Sequence, residues 1–295
     1  MEVDLNIFQP LFSKRPEISK DRFQIDLKNY YLPFAKKLIA IKNSKHSSSG
    51  LIVGVCAIQG AGKTTQGEVM DILLSNLGYS TFSFSIDDHY ITHKELIELR
   101  KRDPRFIRRG VTHDINLAIS DLTALKNITS NQTITISRYD KGVNNGDGER
   151  FTQVVSQKPD FIFYDGWMLG ARPVSDDAIF SSGLPALETP ADQQFAKDIN
   201  KKLADYEPLW DMIDFMNVLY VPNYQISLVW REQAEEALQK KGQGMTPVEI
   251  REFVYYFWRS VHPAIQIKNL SMDSIHTQQV VYINDDHSIF LPLNH

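Results

Sequence analysis

Gly60, Gly62, Lys63 and Thr64 fall within the run AIQGAGKTTQG at residues 57–67, and three carboxylates, Asp87, Asp88 and Asp165, each close an apolar stretch further along the chain. Residues of these types at these spacings can hold and move a phosphoryl group. Glycines lack β-carbons, so consecutive backbone N–H groups can converge on one anion, and a helix starting at the same point adds its positive end. Lys63 is placed to set a point charge on the β- and γ-phosphates of a nucleoside triphosphate, and the Thr64 hydroxyl to ligate a Mg²⁺ bridging them. Gly60, Ala61, Gly62, Lys63, Thr64 and Thr65 are therefore the expected nucleotide contacts. The usual spacing G-x-x-x-x-G-K-[ST] begins with a glycine where this chain has Ala57, so the motif is judged by the strand before it and the helix after it.

Both flanks are present. LIVGVCAI, residues 51–58, is a nearly continuous apolar run of the kind a buried parallel strand requires, and KTTQGEVMDILLSNLG has helical character. In open parallel sheets ligands collect at the carboxyl ends of strands. Asp87 and Asp88 close FSFSIDD, Asp165 closes FIFYD, and Arg138 and Asp140 close TITISRYD. From its strand end Asp165 can hold Mg²⁺ directly or through water, the plainer reading being a turn cap. Asp87 can accept the proton of a hydroxyl attacking the γ-phosphate, against the plainer reading of paired aspartates in a surface turn. Asp88 is more ambiguous.

Further elements alternate. Residues 21–43 carry helical periodicity interrupted by Pro33, and SKHSSSG reads as a hinge into the first strand. Helices are expected over THKELIELRKRD, HDINLAISDLTALKN, residues 191–214 and QISLVWREQAEEALQKK, with another opened by the capping box at Thr246 and Glu249. KGVNNGDGER reads as a glycine-rich loop, 171–189 as loop-like with no assigned role, and FMNVLYV and QVVYIND as later strands. The pattern predicts an α/β fold, a mainly parallel sheet with helices on both faces, in a domain spanning 49–295 behind an N-terminal helical extension, 1–48.

The chain has 295 residues, 42% hydrophobic and 23% charged, which is ordinary globular usage with ample material for a core. A net charge of −4 argues against nucleic acid as a partner, the block RKRDPRFIRR at 100–109 being the one basic exception. The single cysteine, Cys56, lies in the expected buried strand, consistent with inert core packing in a reducing, cytoplasmic setting. No window approaches a membrane span, and a removed organelle transit peptide would leave no trace. No feature specifies an oligomeric state.

The ordered set GVCAIQGAGKTT, SIDDHYITH, RRGVTHDI, RYDKGVNNGDGER, YDGWMLG and LVWREQAEEALQKKGQGMTPVEIREFV resembles the D-glycerate 3-kinase family, within the phosphoribulokinase, uridine kinase and pantothenate kinase group of P-loop kinases. The resemblance runs from about residue 51 to 262. It implies a P-loop NTPase-type three-layer α/β/α fold, ATP and Mg²⁺ at Lys63 and Thr64, and Asp87 as the base. It places Tyr90, Arg109, His113, Asp114 and Lys141 around a small-molecule acceptor. It also makes Arg150 a charge-bearing contact to substrate or phosphates, and Arg231 a lid-type arginine approaching the transferred phosphoryl group. The plainer readings are a helix-start histidine for His113 and an i+4 pair with Glu235 for Arg231. The family usually has an aromatic at His89, glutamate at Asp165 and aspartate at Glu149. The implied activity is ATP-dependent phosphorylation of D-glycerate. The alternatives are another small hydroxyl acceptor, such as a nucleoside, pantothenate or a sugar phosphate, and a nucleotide-binding regulatory protein whose kinase activity has lapsed.

Overall fold

The computed structural model describes residues 3–45, 48–175, 183–239 and 244–290. Strands and helices are numbered in chain order. β1 (Leu51–Ala57) is buried along its whole length, as a strand covered on both faces must be. It pairs in parallel with β5 (Phe161–Gly166) on one side and β6 (Phe215–Tyr220) on the other. β2 (Thr81–Ser85) adds in parallel beyond β5, β7 (Gln279–Ile283) in parallel beyond β6, and the short β8 (Ile289–Phe290) closes that edge antiparallel. The order is β2-β5-β1-β6-β7-β8. Register aligns Val55 with Asp165 and Ser85 with Asp165, so the carboxyl ends of β1, β2 and β5 meet beside the loop that follows β1.

Two apolar layers hold the sheet. On one face the N-terminal extension, with α1 (Gln9–Lys14), α2 (Lys20–Asp26) and α3 (Leu32–Ser44), packs with α4 (Lys63–Asn76) through Phe8, Phe23, Phe34 and Leu73. On the other, Leu122 and Leu125 of α6 (Ile115–Asn127), which follows α5 (His93–Arg102), join Ile199 and Phe257 from the helices Pro190–Lys202 and Pro247–Ser260. Each fully buried side chain of this kind stabilises by about 1.5–3 kcal/mol relative to exposure. This is the expected three-layer α/β/α arrangement.

Several local expectations change. Pro33 does not end the helical run: a π-helical turn, Leu27–Tyr31, precedes it, and Pro33 is the second residue of α3, so the helix continues through the proline with a local widening just before it. TITISRYD forms β3 (Ile134–Asp140) but lies outside the main sheet, paired antiparallel with β4 (Glu149–Val155), which begins inside the stretch read as loop. Its burial is patchy, unlike β1, and so unsuited to a central parallel position. The helical region expected over 191–214 is split by a 3-10 turn, Leu203–Tyr206, with Pro208 opening the next short helix. The long helix is described over Ile226–Gln239, with Lys240 and Lys241 outside the described residues, as are His46 and Ser47 of the expected hinge and 176–182 of the loop-like stretch. Cys56 is buried, and burial pushes its thiol up to about 12. Among the described residues no helix is long and apolar enough to cross a membrane.

Candidate active site

The loop after β1 turns through Gly60 and Gly62, both with positive φ, +84° and +91°, and Gly62 stands immediately before α4. Gly60 is required twice over. Beyond its φ, a β-carbon there would come within 2.8 Å of Trp230 Cβ, so the indole closes the loop from outside. Trp230 belongs to the helix Ile226–Gln239 and stacks on His287 with ring centres 4.2 Å apart. The Lys63 ammonium donates to the carbonyls of Ala57 and Ile58 at 2.7 and 3.0 Å. Burial lowers its pKa, opposed chiefly by the charge of Asp165. Ala57 thus serves through its carbonyl, which any residue supplies, and the missing first glycine costs the motif nothing visible here.

Asp165 accepts a hydrogen bond from Ser85 Oγ at 3.2 Å. Burial, only partly offset by Lys63, lifts its pKa to about 6, and the nearby Asp87 charge adds to the rise. A carboxylate in this condition is short of positive charge. Asp165, Thr64 and Lys63 line one small cavity. Among the described residues no cluster of three or more His, Cys, Asp or Glu side chains could hold a metal alone. One acid and one hydroxyl suit a magnesium ion that keeps its remaining ligands from phosphate and water.

Asp87 sits in the 3-10 turn Ile86–His89. Its Oδ2 accepts from Lys141 Nζ at 2.5 Å, and its Oδ1 lies 3.8 Å from His113 Nε2, too far for a hydrogen bond. Burial alone would raise this carboxyl; Lys141 and His113 outweigh it and hold Asp87 well below the usual carboxylate range. His113 is buried and its pKa lowered by that burial, against the pull of Asp87. Tyr206 OH takes the His113 backbone N–H at 3.3 Å and stands 2.8 Å from Nδ1. This contact occupies Nδ1 and leaves Nε2 facing Asp87. Tyr90 stacks on the imidazole at 4.4 Å. Asp87 Oδ1 and His113 Nε2 are both buried without a hydrogen-bond partner. An unpaired buried polar atom costs about 1–3 kcal/mol, which a bound hydroxyl would relieve.

The β3–β4 hairpin fixes this turn. Asp88 accepts from Arg138 at 2.8 Å and from the Tyr139 N–H at 3.2 Å, so the ambiguous aspartate is a structural anchor. His89 is fully buried, edge-on to Phe84 at 4.7 Å and 3.4 Å from Asp121, so it packs the core, while its neighbour Tyr90 faces His113. Arg150 on β4 donates to the Tyr90 carbonyl at 2.9 Å and reaches Asp114 at 3.5 Å. Asp114 caps α6 through Leu117 N–H at 3.1 Å, so these two side chains brace the Tyr90 backbone. Glu149 accepts its neighbour's N–H, that of Arg150, at 2.8 Å.

A cluster of cations completes the site. Arg108 and Arg231 lie 4.9 and 4.8 Å from the ring centre of Phe253, and Arg109 stands 5.5 Å from both Tyr90 and Tyr139. Burial and then the neighbouring Arg109 and Arg231 charges lower the pKa of Arg108. Arg231 pairs with Glu235, in line with the plainer reading, yet keeps a buried Nε without a partner. Gly148, at φ +79°, admits Tyr139 and Arg109, either of which would collide with a β-carbon there. Sequence reasoning missed Arg108, Gly148, Trp230 and Tyr206. The doubled arginine of RRGVTHD, the second glycine of NNGDGE and the Trp of VWRE were available signals; nothing local marked Tyr206.

The fold and site define a P-loop nucleotide-binding α/β protein. No protein-family model matches the chain. It is 31% identical over 247 residues to the chloroplastic D-glycerate 3-kinase of Arabidopsis thaliana, covering 77% of this chain and 52% of that protein, so it spans about half the length of that relative. It is 30% identical over 227 residues to the uncharacterized kinase mug58 of Schizosaccharomyces pombe, covering 73% of this chain and 81% of that one. The solved structure of D-glycerate 3-kinase from Cryptococcus neoformans superposes with a TM-score of 0.77 at 23% identity, covering 93% of this chain and 99% of that one, a likeness of fold. The chain belongs to the D-glycerate 3-kinase family of P-loop kinases.

Proposed function

We propose that the protein transfers the γ-phosphoryl group of ATP to a hydroxyl of a small hydroxy acid, D-glycerate before others, giving 3-phospho-D-glycerate. The observation that carries the reading is Asp87 Oδ1, buried and unpartnered beside Lys141 and His113 at the phosphate end of the loop. The acceptor hydroxyl donates to this oxygen. As the acceptor oxygen bonds to phosphorus, the bond to the β,γ-bridging oxygen breaks, ADP departs with the electron pair, and the hydroxyl proton passes to Asp87. A carboxylate this acidic is a weak base, but phosphoryl transfer demands little proton abstraction and much positioning. Lys141 bridges Asp87 and the moving group, and Lys63 sets its charge on the β- and γ-oxygens.

Asp165 and Thr64 are the residues that would hold Mg²⁺, which when bound neutralises charge on the phosphates. The acceptor's carboxylate, remote from the transferred group, falls to Arg109 with its neighbours Arg108 and Arg231. His113, with Nε2 unpartnered beside Asp87 Oδ1, offers the acceptor a ring nitrogen for hydrogen bonding.

Rates with ATP and Mg²⁺ for D-glycerate, L-glycerate, glycerol, uridine and pantothenate test the reading directly. D-glycerate is expected to be fastest, with the neutral acceptors poor. Preference for a neutral acceptor would reject glycerate and keep the kinase; turnover of none, with ATP still bound, would favour the regulatory alternative.

A further inference from the structure

Trp167 has no part in the transfer as derived above, yet the fold brings it beside the reacting carboxylate. It follows Gly166, the last residue of β5, as Asp87 follows Ile86. These two preceding residues touch. A β-carbon on Gly166 would come within 2.6 Å of Ile86 Cγ2, so glycine is what lets the 3-10 turn Ile86–His89 settle on the strand end. The indole itself is only 7% exposed and stands edge-on to Phe257 with ring centres 4.8 Å apart. It shares a small cavity with Ile58 and Gln59 of the loop after β1, which sets it between the cradle and Asp87.

The Trp167 Nε1–H is buried without a hydrogen-bond partner. An indole N–H can only donate, and when buried it usually finds an acceptor. Both Trp167 and Asp87 approach the Tyr90 hydroxyl. Burial raises that phenol's pKa, the Asp87 charge adds to the rise, and the Trp167 contact opposes it, although the indole completes no hydrogen bond there. Tyr90 stacks on His113. Three buried, unpaired polar atoms, Trp167 Nε1, Asp87 Oδ1 and His113 Nε2, thus gather about the Tyr90 ring. An unpaired donor and an unpaired acceptor side by side suit a ligand with two oxygens, one that donates and one that accepts. A hydroxy acid whose reacting hydroxyl meets Asp87 and whose carboxylate falls to Arg109 has used both its ends. The group left over in glycerate is the hydroxyl on the middle carbon.

We infer that Trp167 is a specificity-determining residue: its indole N–H donates to the acceptor's second hydroxyl, on the carbon beside the carboxylate, and so selects one configuration there. The inference rests on the glycerate reading of the site. With the reacting oxygen and the carboxylate held, inverting that carbon carries its hydroxyl away from the indole and leaves the donor unpaired. An acceptor without that hydroxyl does the same.

3-Hydroxypropionate, which keeps the reacting hydroxyl and the carboxylate but lacks the middle hydroxyl, provides the control. With ATP and Mg²⁺ and the full chain, kcat/KM is measured for D-glycerate, L-glycerate and 3-hydroxypropionate in the unmodified protein and in Trp167→Phe. The unmodified protein should prefer D-glycerate to each of the others by roughly tenfold, the scale of one hydrogen bond. Trp167→Phe keeps an aromatic ring and loses the N–H. It should lower kcat/KM for D-glycerate roughly tenfold and leave 3-hydroxypropionate within about twofold, so that both preferences nearly vanish. Equal loss for all three acceptors would make Trp167 a packing residue for Phe257, and unchanged preferences would remove it from recognition; either result overturns the inference. So does an unmodified protein that treats D-glycerate and 3-hydroxypropionate alike, a result that needs no variant to fold. Turnover of none of the three is a different failure, which rejects the kinase reading and takes this inference with it.

Discussion

The phosphate cradle is made by one unbroken run, Ala57–Gly67, between a buried strand and the helix it feeds, whereas the acceptor side draws on separate segments. Asp87 comes from a 3-10 turn, Arg109 and His113 from the stretch before α6, Lys141 from the hairpin and Tyr206 from a turn far along the chain. In the proposed reading backbone groups do the binding in the first region, so geometry tolerates Ala57 in place of glycine. In the second the same reading gives the binding to side chains, and each is held by partners from other segments: Lys141 by Asp87, His113 by Tyr206, Arg109 by the Gly146 carbonyl at 2.6 Å. The two regions should therefore fail differently when altered, one through nucleotide affinity and the other through turnover and acceptor affinity.

The sharpest separation is Asp87→Asn. Turnover should fall by on the order of 10²-fold or more, because the acceptor hydroxyl loses the carboxylate oxygen that aligns it and takes its proton, while ATP affinity stays within a few-fold. Single-turnover kinetics beside equilibrium ATP binding measures both. Loss of ATP binding would merge the two regions and make Asp87 part of the cradle.

A smaller effect is expected at Arg109, whose proposed contact is the acceptor's carboxylate rather than the reacting oxygen. Arg109→Ala should raise KM for D-glycerate about tenfold or more with KM for ATP little changed, since charge-assisted hydrogen bonds contribute roughly 1.5–3 kcal/mol. Equal rises for both substrates would mean that the arginine supports the hairpin, through Gly146, and not the ligand.

This contrast also explains what the sequence could reveal. The cradle is legible because its physics is local: β1 is apolar throughout, and Gly-Lys-Thr follows at fixed spacing. The three-layer fold is legible for the same reason, through runs such as FIFYD and FMNVLYV. The hairpin is not, because TITISRYD satisfies strand preferences in any sheet, and only its patchy burial, set by tertiary packing, assigns it to a separate one. Asp88 and His89 are equally opaque; their neighbours Asp87 and Tyr90 look no different in sequence, and the Arg138 and Asp121 contacts that bury them come from distant residues. Tyr206 acts through a hydroxyl aimed at His113, a relation with no sequence signature at all.

The smallest expected change places the two aspartates in direct opposition. Asp165 has a folded pKa of about 6 because burial disfavours its charge, so it takes up a proton more readily folded than unfolded. Stability from that proton is fully present below the unfolded value near 4 and is lost as pH rises through about 6. At pH 8 the protein bears the charge at a cost, and Asp165→Asn, neutral at every pH, should be more stable than the unmodified protein by on the order of 1–3 kcal/mol. The gap should narrow as pH falls through about 6, remain partly open at pH 5, and close only near the unfolded value of about 4. Asp87 has the reverse sign. Its depressed pKa contributes stability above the unfolded value, lost as pH falls through the folded one, so Asp87→Asn forfeits the Lys141 pair at pH 8. Denaturant unfolding of both variants at pH 5 and pH 8 reads the two signs together. A destabilised Asp165→Asn at pH 8 would make that carboxylate a structural cap for Ser85, whereas a stabilised variant with weakened metal-dependent turnover identifies an acid kept at the strand end for what it binds.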